Sequence, residues 1–173
     1  MPLLTELPAI SAIDDDDILV IEEDGVTKRI TVAELRLALS PTWQDYTPAW
    51  TTSGTAPAIG NGSLAGRYRI VGKTVHFSIA AVFGSTSTYG TGGWTFSLPP
   101  GCVAKTTGVR QLLHLWALDT GTAHRHGVAY CDPGASTTSA LVHHGASTGW
   151  SATNPHTWAT GDSLGISGNL EID

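Results

Sequence analysis

Gly145-Ala146-Ser147-Thr148-Gly149 fits the GxSxG spacing of a nucleophile elbow. That chemistry needs a strand before the serine and a helix after it, so that the hydroxyl projects from a strained turn. Trp150-Ser151-Ala152-Thr153-Asn154-Pro155 follows and is a poor helix start. Short matches of this kind also arise by chance in a chain rich in Gly and Ser. No paired carboxylates are evident in the segments that would form a pocket, and no P-loop or dinucleotide fingerprint occurs. The expectation is a non-enzymatic protein. A small esterase or depolymerase built on Ser147 is the enzymatic alternative.

All seven histidines fall after residue 41. In His124-Arg125-His126 the two imidazoles share a side if the segment is a strand. Two imidazoles alone make a poor metal site, but three copies about an axis would offer six nitrogens, an octahedral set for a transition metal. The plainer reading is a polar loop, since Thr120-Gly121-Thr122 precedes the pair. His143-His144 would point to opposite faces. No other cofactor is implied. Cys102 and Cys131 could pair but are too few for a disulfide framework or a zinc site, and the expectation is two free, half-buried thiols behaving as small hydrophobes. Six tryptophans invite a glycan-binding reading. Trp50, Trp94 and Trp116 lie in strand-like segments and are expected in the core. Trp150 and Trp158 lie among loop residues, and with Asn154 and His156 they form the candidate saccharide platform. Capping the end of a sandwich, or filling a subunit contact, is the alternative for the same pair.

These residues need a scaffold, and the composition indicates what kind. Only 14% of the chain is charged, and β-branched residues alternate with Gly-rich turns, as in all-β proteins. No apolar run is long enough to span a bilayer. The net charge of −6 is unevenly placed. Residues 1–40 hold nine acids and three bases, whereas residues 41–173 hold six of each. This marks two modules, neither basic enough to suggest nucleic-acid binding.

In module 1–40, Ile18-Leu19-Val20-Ile21 predicts a short strand, Asp24-Gly25 a hairpin turn, and Val26 to Ile30 the returning strand. Thr31-Val32-Ala33-Glu34 fits a capping box, opening a helix that ends before Pro41. Asp14 to Asp17 is expected to be a solvated turn. Forty residues bury too little apolar surface to be stable alone. Ile18, Val20, Val26, Ile30, Leu35 and Leu39 are therefore the candidate docking and trimerisation residues. Residues 41–50 are expected as an extended linker, with Trp43, Tyr46 and Trp50 pinning it to apolar surface. Residues 51–173 carry about eight alternating segments with turns such as Gly72-Lys73, which predicts an antiparallel β-sandwich or jelly roll.

The stretch LTELPAISAIDDDDILVIEEDGVTKRITVAEL resembles the N-terminal segment of tailed-phage fibre, spike and minor tail proteins, through Leu7, Pro8, Asp17, Ile18, Val20, Gly25 to Lys28, Ile30, Thr31 and Leu35. AGRYRIVGKTVHFSI resembles a hairpin common in the same group, through Arg67, Tyr68, Val71, Gly72, Lys73 and Val75. The likeness covers residues 3–100. It implies a homotrimer joined and docked to other virion proteins by the first module. It also implies a β-domain knob that meets the host surface, with glycan as the expected ligand. Expected with it are a virion location after assembly in the host cytoplasm, no nucleic-acid partner and no membrane insertion. A capsid decoration or head-fibre protein without a receptor is the alternative.

Overall fold

The computed structural model describes residues 12–142 and 149–173. The chain divides into two compact units, Met1–Pro41 and Thr42–Asp173.

In the first unit, β1 (Ile18–Glu23) and β2 (Val26–Thr31) form an antiparallel hairpin, and α1 (Val32–Leu39) follows directly. Asp24 and Gly25 both take positive φ, at 53° and 74°, as the two-residue turn requires. The capping box is closed in both directions. Thr31 Oγ1 accepts the Glu34 N–H at 3.1 Å, and Glu34 Oε2 accepts the Thr31 N–H at 2.9 Å. The aspartate run is a turn, held by the Asp14 N–H on Asp17 Oδ2 at 2.8 Å. Its backbone carbonyls serve the helix: Asp17 O accepts from Val32 N–H and Asp15 O from Ala33 N–H. Four carboxylates therefore gather near the positive end of a helix, where negative charge is stabilising. Asp15 also pairs with Arg36. Among the described residues of this unit, Val32 is the single buried hydrophobic side chain.

The second unit is one nine-stranded antiparallel sheet built from β3 (Gln44–Tyr46), β4 (Trp50–Thr52), β5 (Ser63–Val71), β6 (Thr74–Val82), β7 (Trp94–Ser97), β8 (Gln111–Asp119), β9 (Ala123–Cys131), β10 (Thr137–Val142) and β11 (Ser163–Glu171). Its order is β3-β5-β6-β11-β8-β9-β10-β7-β4. The two edge strands, β3 and β4, are joined by only three residues, Thr47 to Ala49. The sheet must therefore fold over until its edges come close, which makes it a β-sandwich with one enclosed face. Residues 41–50, expected as a linker, supply β3 and the first residue of β4. Their short apolar alternation becomes strand only by pairing with β5 and β7.

Alternation fills the inside. Val75, Phe77, Ile79 and Ala81 of β6, Leu113, Leu115 and Ala117 of β8, and Leu164, Ile166 and Leu170 of β11 are all buried. At one end Trp50, Phe83, Trp94 and Trp158 pack with ring centroids about 5–6 Å apart, the range that edge and tilted aromatic contacts favour. Cys102 and Cys131 are free thiols, and both are fully buried rather than half-buried as expected.

Candidate functional site

The opposite face of the sheet is open, and its register can be followed strand by strand. Directly paired residues in antiparallel strands share a face. One rung runs Asp45, Arg67, Ser78, Ser167, His114 across β3, β5, β6, β11 and β8. The rung beside it runs Ala65, Ala80, Gly165, Trp116, His126. On the far side of the first rung stand Arg69, His76 and Asn169. The face thus has a floor of small residues that ends at a tryptophan, bordered by charged and hydroxyl groups. Trp116, expected in the core, lies on this outer face and is half-buried. Its indole covers Gly165, where a Cβ would stand 2.2 Å from Trp116 Nε1. Glycine at 165 is what lets the ring lie down on the sheet.

Near β3 the floor deepens into an open depression of about 150 Å³, lined by Asp45, Ala65, Gly66, Arg67, Ser78 and Ala80. Trp43 stands beside it, 41% exposed. The Arg67 and Arg69 guanidiniums lie 4.6 Å and 5.3 Å from its ring centroid. Among the described residues, neither guanidinium forms a salt bridge with a carboxylate. Tyr46 packs edge-on against Tyr68 over Gly66, and burial, with Cys102 and Tyr68 adding, pushes its phenol pKa up.

The residues expected to bind saccharide lie elsewhere. Trp150 is 0% and Trp158 4% exposed, both in the aromatic core. Burial of both rings overturns the platform reading and fits the alternative, a capped sandwich end. Trp158 Nε1 donates to Ser151 O at 2.9 Å, and Asn154 Nδ2 donates to Gly149 O at 3.0 Å, so polar groups of the loop are spent within it. His156 is also interior. Its Nε2 is 3.2 Å from Asp162 Oδ2, with both side chains under 7% exposed, and its ring lies 4.3 Å from that of Trp158.

His124 and His126 are exposed on β9, on the open face. The hairpin through Thr120 to Thr122 makes the segment a strand, not the polar loop that its neighbours suggest. Across the strand pair, His114 is 6.1 Å from His126, ring centroid to centroid. That neighbour was missed, although the β8–β9 turn fixes the pairing. Ser147 and His143-His144 lie outside the described residues.

In the first unit, Ile18 is 53%, Val20 70%, Val26 56% and Leu39 72% exposed, while Ile30 and Leu35 are half-buried. The register divides this set. Ile18 and Val20 are on one face of the hairpin, and Val26 and Ile30 are on the other with Leu19 and Ile21. They cannot all meet a single flat partner surface, because side chains alternate along a strand. Leu19 and Ile21, passed over at first, complete the larger apolar face. A groove of about 290 Å³ between hairpin and helix is lined by Ile13, Asp17, Ile18, Leu19, Val32, Leu35 and Arg36.

One solved structure has a similar fold. The crystal structure of the Dettilon tailspike protein superposes on 77% of this chain with a TM-score of 0.56 and 14% identity. The chain spans 24% of the length of that protein. At this identity the likeness is one of fold. No protein-family model and no curated protein matches the sequence.

Proposed function

We propose that this protein is a bacteriophage tail component of the spike or fibre kind, a non-enzymatic virion protein that contributes to host adsorption. The fold shared with part of a tailspike carries this reading. The two-module charge split and the uncovered apolar hairpin support it. In this reading the first unit joins three chains and docks them to other virion proteins. The β-sandwich is displayed, and its open face meets a host-surface saccharide. The ligand surface moves from Trp150 and Trp158 to the open sheet, where Trp43, Arg67, Arg69, Asp45, His76 and Trp116 combine aromatic surface with exposed hydrogen-bonding groups. Arginine is suited to this work, since its planar fork recognises carboxylate or phosphate groups on a sugar in bidentate fashion.

A glycan array tests the surface. Binding that falls at least about tenfold in Arg67→Ala and Trp43→Ala supports adsorption through this face. Uniformly blank arrays favour the alternative, a decoration protein without a receptor of its own.

A further inference from the structure

We infer that Asp119, His156 and Asp162 form a site for one divalent transition-metal cation, Zn2+ or Mn2+. The three residues offer ligand atoms that all lie within 4.8 Å of one another. They come from the end of β8 and from the loop before β11, which adjacent pairing brings together: Ser163 lies opposite Leu118.

The donor set is one imidazole and two carboxylates, the types that Zn2+ and Mn2+ accept. Two ligands each about 2.1 Å from a tetrahedral ion stand about 3.4 Å apart. His156 Nε2 and Asp162 Oδ2 are 3.2 Å apart, so that edge of the polyhedron already exists. Asp162 is fixed in place: its Oδ1 accepts the Thr120 N–H at 2.9 Å and its Oδ2 the Ala159 N–H at 2.8 Å. Asp119 is the more accessible carboxylate, with its side chain 20% exposed. It gives the ion a way in and can close the remaining distance.

Charge favours the same conclusion. Two carboxylates face each other in a site that is mostly dry. Asp119 forms an ion pair with Arg125, whose Nη2 is 3.6 Å from Asp119 Oδ2, too long for a strong hydrogen bond. His156 Nδ1 is buried and has no hydrogen-bond partner. Ligation through Nε2 puts the ring proton on Nδ1, so this buried, unpaired donor is a cost that metal binding must exceed.

The test uses the full chain stripped with a chelator, then titrated calorimetrically with ZnCl2, MnCl2 and CaCl2 and followed by thermal unfolding. The expected result is one high-affinity equivalent per chain, with Tm raised by about 5–10 °C when the free ion is 100-fold above Kd. Asp119→Asn, chosen because Asp119 is partly exposed and its loss spares the interior, should keep the metal-free Tm and weaken binding at least tenfold. His126→Ala should leave binding unchanged. No ion-dependent heat or Tm shift would overturn the proposal. So would a shift that survives Asp119→Asn but is lost in His126→Ala, which would assign the ion to the exposed His114–His126 pair.

Discussion

At the scale of single residues, burial sets the chemistry available. Removal from water pushes the Cys131 thiol up to about 12, with the nearby Asp132 charge adding, and burial raises Cys102 as well. The thiolate is the nucleophile, so Cys131 is expected to react with a disulfide reagent at pH 8 at least about 100-fold more slowly in the folded chain than in denaturant. Similar rates in the two states would show that β9 opens readily. Gly165 is held to glycine by the indole above it. Gly165→Ala is expected to cost about 1–3 kcal/mol, as an overpacked site does, read as a lowered denaturation midpoint. Trp158→Ala should cost more, about 3–5 kcal/mol, because that ring packs against Phe83, Trp94 and Trp150. A loss under 1 kcal/mol would restore Trp158 as a surface residue.

At the scale of elements, the first helix depends on one reciprocal pair. The Thr31 N–H and hydroxyl hold the Glu34 carboxyl below its ordinary value of 4.5. Because the folded pKa is the lower one, the contribution is fully present above 4.5 and is lost as pH falls through the folded value. Helix content of the first unit is therefore expected to fall on acidification below pH 4.5, and Glu34→Gln should flatten that dependence. An unchanged pH profile in Glu34→Gln would contradict the role assigned to the box.

Legibility in the sequence followed the distance over which each element is determined. The Asp24-Gly25 hairpin, the Thr31–Glu34 box and the Gly72-Lys73 turn are local and could be read directly. β3 and β4 could not: each has three residues and exists only because a distant strand lends it hydrogen bonds. Trp116 was misplaced for a related reason. Its own strand alternates cleanly, but a large ring on an outer face is tolerated only because Gly165, 49 positions later, leaves room for it. The Asp119–Asp162 pair had no local signal at all, since only the β8–β11 pairing joins them. Trp150 and Trp158 sit in Gly-, Ser- and Thr-rich sequence whose composition marks a loop but does not say which way its rings turn. Here they turn inward.

At the scale of the whole molecule, the two units have opposite characters. The sandwich encloses a continuous aromatic and aliphatic core. The hairpin–helix unit has apolar side chains on both hairpin faces and, among its described residues, one that is buried. A unit of that composition needs partner surface to hide what it exposes. In the proposed reading the partner is two further copies of the chain, with a virion protein beyond them. The direct measurement is solution mass by light scattering, on the full chain and on a chain beginning at Ser40. The account expects the full chain at about three times its 18.1 kDa and the shortened chain as a monomer. A full chain that is itself monomeric, or a trimer that survives loss of the first unit, would contradict it.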